Sequence, residues 1–252
     1  MTKKYELVLD DTIIFWGWKL FRIRALISFG SVEVGDLGGY IEKEENLSHD
    51  DNAWVYDNAW VYGIAKVSGN AEVSGNAEVW GNAKVSGNAE VSGNAEVWGN
   101  AKVSGNAEVS GNAKVSGNAE VSGNAEVWGN AKVSGNAEVS GNAKVWGNAK
   151  VSGNAEVWGN AKVSGNAEVS GNAEVWGNAK VSELGDIIVF KNHWSSGRHF
   201  TYTKSNKMWK VGCFYGTGQE LIEKAYRDSE KSGNYYKAYV DFVETLERLS
   251  EE

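Results

Sequence analysis

The chain has no proline among its 252 residues, one cysteine and three histidines. Proline usage is ordinarily about 5%, and nothing in the sequence accounts for its absence. A single cysteine, Cys213, excludes an intramolecular disulfide and suits a reducing compartment. From Gly69 to Ser182 there is no His, Cys, Asp, Arg or Thr. That stretch therefore lacks a histidine general base, histidine or cysteine ligands for zinc, and any ladder of threonines. Its Lys and Glu stand at repeated, solvated positions, where burial cannot tune a pKa. His49, His193 and His199 lie outside it, without ligand-like spacing to Cys213. No apolar run approaches the ~20 residues of a membrane span, and the opening MTKKYELVLDDT has no signal-like core. The expectation is a cytoplasmic protein that is not an enzyme and needs no cofactor, metal or membrane. A net charge of −8 argues against nucleic acid as a partner of the whole molecule.

What is present is a six-residue phrase, Gly-Asn-Ala-Glu/Lys-Val-Ser/Trp, almost unbroken over residues 51–182. The period is too short for a helical repeat. As a strand, it puts Ala and Val on one face and Glu/Lys with Ser/Trp on the other. Gly-Asn then turns a corner, since both residues tolerate left-handed angles. This predicts a parallel β-solenoid. Trp80 and Trp98, Trp128 and Trp146, and Trp158 and Trp176 are each 18 residues apart, so three hexads make a coil and each pair stacks. The 22 hexads of residues 51–182 give about seven coils and a rod of roughly 35 Å. The pattern resembles the hexapeptide repeat of left-handed parallel β-helices; handedness follows from that resemblance.

The flanks differ in composition. Residues 1–50 read as a β cap, with a hairpin of Thr12–Phe15 and Lys19–Leu26 turning near Gly17. An open solenoid end would template growth, and Phe15, Trp16, Trp18 and Phe21 are candidates to plug it. Residues 183–252 read as a small α+β domain: a strand at Ile187–Phe190, then a hairpin of Phe200–Thr203 and Met208–Phe214. A helix is opened by the capping box Thr217/Glu220 and broken at Gly233. A second helix follows, with Tyr236, Tyr239, Val240, Val243 and Leu246 at helical spacing.

Gly35-Asp36-Leu37-Gly38-Gly39-Tyr40-Ile41, Asn46-Leu47-Ser48 and Trp54-Val55-Tyr56-Asp57-Asn58-Ala59 resemble the entry segment of YdcK-like and prophage-encoded β-helix proteins. Trp194-Ser195-Ser196-Gly197-Arg198 and the run Met208–Gly218 are similar to the tail domain of some prophage members. The resemblance implies the left-handed β-helix fold and no particular reaction. A structural or binding scaffold of phage type, in the host cytoplasm, is the leading expectation. A degenerate acyltransferase relative comes last, for want of a coil histidine.

Two surfaces invite a partner. Along one face, steps of 18 give Glu72, Glu90, Glu108 and Glu126, then Lys144, Lys162 and Lys180, with Trp128 and Trp146 at the junction. An antiparallel second copy would set Glu126 against Lys144 and Glu108 against Lys162 around four tryptophans, as an isologous interface requires. The competing reading is copying. The unit GNAEVSGNAEVWGNAKVS recurs intact at 69–86, 87–104, 117–134 and 165–182, and slips of 12 residues would move Trp and Lys together without selection. Tandem copying and deliberate idealisation of a repeat both give such uniformity; the codons of the gene separate them. A homo-oligomer or another protein partner fits this face.

The second surface lies between Asp186 and Glu220, where no acidic residue occurs. Lys191, Arg198, Lys204, Lys207 and Lys210 interleave there with aromatic residues including Trp194 and Trp209. Charges for a phosphate backbone and rings for stacking are what single-stranded nucleic acid requires. The competing reading makes the aromatics a core and the lysines its solvated rim.

Overall fold

A computed structural model describes residues 3–250. Between the two caps stand 22 two-residue strands, β4 (Trp54–Val55) through β25 (Lys180–Val181), at six-residue intervals. They stack as three parallel ladders in the 18-residue register, for example Glu90 beside Glu108 and Val91 beside Val109. Backbone bonds run coil to coil: Glu90 N donates to Ala107 O at 2.9 Å and Ser92 N to Val109 O at 2.9 Å. The Ala and Val of each hexad fill the interior; Ala101, Val103 and their equivalents are 0% exposed. Each corner carries a ladder of amide side chains, such as Asn88 to Asn106 and Asn106 to Asn124, both 2.9 Å. Each Asn inside a ladder thus gives one proton and receives one, the arrangement that stacked identical coils favour.

Together with its entry segment the solenoid makes about eight turns. β3 (Leu37–Ile41) pairs in parallel with β5 (Trp60–Val61), and Leu47 bridges Val67. Ahead of it β1 (Tyr5–Phe15) and β2 (Trp18–Ala25) form an antiparallel hairpin that extends one ladder to a ten-stranded sheet. The hairpin turns at Trp16-Gly17, both at positive φ. It starts seven residues before the expected Thr12, because a register shift between Val8 and Thr12 absorbs the polar Asp10-Asp11.

The plug is not the expected set of aromatics. Tyr5, Ile23, Ala25 and Val32 pack on the first interior residues, joined by Leu7 and Phe29. Phe15, Trp16 and Trp18 instead lie along the outer side, with Tyr62 and Trp80. The reason is topological: the hairpin continues one wall of the prism, so its tip projects beside the rod rather than across its mouth. Donors close this end. Lys4 Nζ reaches Ala53 O at 2.8 Å, the Tyr5 hydroxyl donates to Glu44 O and Leu47 O, and Asn46 Nδ2 to Ala65 O at 2.9 Å.

At the other end the last coil has amides with no following coil. Thr201 Oγ1 accepts from Glu174 N at 2.9 Å, Ser205 Oγ from Lys180 N at 2.7 Å and Asp186 Oδ2 from Ser182 N at 2.6 Å. Thr201 and Ser205 belong to a four-stranded antiparallel sheet, β26 (Ile187–Lys191), β27 (His199–Thr203), β28 (Met208–Val211) and β29 (Phe214–Gly216), or to its turns. Helices α1 (Gly218–Asp228) and α2 (Glu230–Leu249) cover its other side. The Thr217/Glu220 capping box forms in both directions. The helix break falls at Ser229, not Gly233. Ser229 is extended, ends α1 and caps α2 by accepting from Ser232 N. Gly233 lies inside α2, where a Cβ would come within 2.2 Å of the Tyr226 ring, so close packing explains the glycine.

Candidate interaction surfaces

The tryptophan pairs stack. Ring centroids are 5.0 Å apart for Trp80–Trp98, 5.1 Å for Trp128–Trp146 and 5.4 Å for Trp158–Trp176, with interplanar angles of 3°, 3° and 6°. Coil-to-coil register holds each ring over the next, leaving outer edges to solvent. On the face carrying Trp128 and Trp146, Glu72, Glu90, Glu108 and Glu126 stand in register, followed by Lys144, Lys162 and Lys180. Glu126 and Lys144 meet within the chain at 2.6 Å, and Lys144 lies 5.9 Å from the Trp128 ring. Glu108 and Lys162 are exposed, with no ion-pair partner among the described residues. The same local pairing recurs wherever a ladder changes sign: Glu96–Lys114 at 2.6 Å, Lys102–Glu120 at 2.5 Å and Lys150–Glu168 at 2.6 Å. Lys114 sits 6.0 Å from the Trp98 ring. Stacks of like charge have a cost. The expectation that burial leaves the array carboxyls untuned does not hold, because neighbouring side chains partly cover them: on a second face, burial and then Glu174 and Glu138 hold the Glu156 carboxyl above its ordinary range, and on the third, burial and then Glu96 do the same to Glu78.

The C-terminal cations do not converge. Lys191 and Arg198 are exposed, Lys204 donates to Ser250 Oγ at 3.2 Å, and Lys207 lies 3.7 Å from Glu247. Trp209 is 2% exposed in the domain core, against Tyr202 and Phe200. Trp194 stacks on Tyr235 at 4.7 Å and meets Tyr236 edge-on. Trp209 therefore offers no free face to a base, and Tyr235 takes one face of Trp194. Lys210 is 6% exposed and turned to the rod, 3.2 Å from Glu174 and 4.1 Å from the Trp176 ring centroid.

Sequence reasoning did not single out Thr201, Ser205 or Tyr215, which join the domain to the last coil; the Tyr215 hydroxyl donates to Trp176 O at 3.2 Å. The one available signal was the need of that coil's amides for acceptors. Among the described residues, no three His, Cys, Asp or Glu side chains are grouped so as to hold a metal ion, and no helix is long and apolar enough to cross a membrane. No protein-family model and no curated protein matches the chain. The likeness to YdcK-like and prophage solenoids therefore rests on the motif residues alone.

Proposed function

We propose that the chain is a non-enzymatic scaffold of phage type: a rigid left-handed solenoid that acts in the host cytoplasm and pairs with a second copy through the Trp128/Trp146 face. The carrying observation is the like-sign ladder on that face, Glu72 to Glu126 and then Lys144 to Lys180, of which Glu126–Lys144 is the only pair neutralised among the described residues. A twofold axis along the strand direction, between the Glu126 and Lys144 rows, inverts the rod and keeps each column opposite itself. Glu108 then faces Lys162, Glu90 faces Lys180, and four tryptophans meet at the centre. Exposed ion pairs contribute little each; the buried aromatic area supplies most of the affinity, and the charges set register and orientation.

Sedimentation of the full chain tests this. A species of twice 27.3 kDa is expected, reverting to one copy in Trp128→Ser/Trp146→Ser. Reversing Glu108 alone to Lys should weaken pairing, and adding Lys162→Glu should restore it. A wild-type chain that stays single at about 100 μM, where a micromolar complex would be populated, removes self-pairing. A dimer indifferent to the Trp variant moves the interface elsewhere.

A further inference from the structure

The C-terminal domain contains a cavity of about 240 Å³ away from the rod's faces. It opens between the loop joining β26 to β27, the β28–β29 turn and helix α1. Its floor is apolar, formed by Val211, Phe214, Leu221 and Ala225. Donor side chains line it as well, Tyr236, Arg198 and Lys224 among them. Tyr236 is 8% exposed, and its hydroxyl oxygen accepts from Asn192 Nδ2 at 3.1 Å. Asn192 Oδ1 is already occupied by Ser195 N and Oγ, both at 3.0 Å. Among the described residues, no acceptor receives the Tyr236 hydroxyl proton, the Arg198 guanidinium or the Lys224 ammonium. A buried hydroxyl ordinarily finds an acceptor, so this one has a donor to spare beside an apolar floor.

We infer that this cavity binds a small amphipathic carboxylate, its apolar body on Val211, Phe214 and Leu221 and its oxygens accepting from Tyr236 and Arg198. Charge and shape both select that class. Arg198 and Lys224 outnumber Asp228, the one acidic lining residue, which disfavours a cationic ligand. An inorganic anion would leave the apolar floor uncovered, whereas a chain of about six carbons covers it. A pocket that joins an apolar body to a few convergent polar groups is the usual form of a small-molecule site.

Cys213 lines the same cavity, is exposed and is the only thiol of the chain, so it reports occupancy directly. The experiment follows alkylation of Cys213 by iodoacetamide in the full chain, by mass, against hexanoate, hexylammonium and inorganic phosphate. Hexanoate is expected to slow the reaction about fivefold, saturably, with a dissociation constant on the order of 1 mM. Tyr236→Phe and Arg198→Gln, checked for an unchanged melting curve, should each require about tenfold more hexanoate. The inference is overturned if hexanoate gives no saturable protection up to about 50 mM. Equal protection by hexylammonium or by phosphate overturns the chemical class, and unchanged protection in both variants overturns the assigned contacts.

Discussion

Lys210 Nζ lies 4.1 Å from the centroid of the Trp176 ring and 3.2 Å from Glu174. Two array lysines have the same relation to a Glu and a Trp of the preceding coil: Lys144 with Glu126 and Trp128, and Lys114 with Glu96 and Trp98. The C-terminal domain thus continues, with a side chain from outside the repeat, a contact the repeat makes with itself. Unlike the array copies, this one is buried: the Lys210 side chain is 8% exposed and Glu174 23%.

Removing one partner of a buried pair strands the other charge. Lys210→Met, which keeps the stem but not the ammonium, should therefore weaken docking of the domain by about 2–3 kcal/mol. Faster hydrogen exchange at the Glu174 and Lys180 amides would register it, since Thr201 and Ser205 take them only while the domain is docked. Adding Glu174→Gln should recover part of the loss. Unchanged exchange in the single variant would refute the keying role.

Two glycines separate backbone strain from coil contact. Gly123 and Gly171 both have φ near 70°, but a Cβ on Gly123 would lie 2.9 Å from Gly141 O, while nothing lies within 4 Å of one on Gly171. Gly171→Ala should cost about 1–2 kcal/mol, the left-handed penalty alone. Gly123→Ala should cost more, about 3 kcal/mol or above, since the clash adds to it. Urea unfolding of the two variants compares them; equal losses would show that the coils yield to admit the methyl.

Glu156 is held above the ordinary carboxylate range by burial, then by Glu174 and Glu138. A folded-state pKa above the unfolded one means that the folded chain holds more protons between the two values, so stability falls as pH rises through that window. Mild acidification should therefore stabilise the rod through this group. Glu156→Gln should stabilise at pH 7, by less than about 1 kcal/mol, and flatten the profile. Melting temperatures between pH 4 and pH 7 would decide, and a Gln variant less stable than wild type at neutrality would reverse the sign.

The two ends close independently, by donors at the first coil and acceptors at the last. Removing residues 183–252 exposes one edge per molecule, which permits end-to-end pairs and nothing longer. Removing residues 1–50 as well exposes two, and open filaments should grow. Electron microscopy of both truncations distinguishes these outcomes; filaments from the single truncation would mean that the N-terminal cap does not seal its end.

The solenoid was legible because its period is a geometric statement: Val every six residues and Trp every 18 leave a single stacking. The capping box at Thr217 was legible for the same reason, being local. What was not legible depends on how separate pieces meet. Lys210 reads as one of five cations in a run, and only the docked sheet turns it onto Trp176. Trp209 alternates like any strand residue, and the helices behind it decide that it is buried. Trp16 and Trp18 read as a plug because they are large and apolar, whereas the wall they extend carries them outside the mouth. The Gly233 pattern suggested a break because a helix interior disfavours glycine, and the facing Tyr226 ring reverses that judgement.

Because each cap grips only its own end of the rod, the span and the phase of the molecule are separate settings. Inserting 18 residues anywhere in the uniform region would move the terminal domain outward by about 4.8 Å and leave its heading unchanged. Inserting six would instead swing it by about a third of a turn, onto the next edge of the prism. The protein is in that sense a shaft, whose reach is counted in coils and whose heading is counted in hexads.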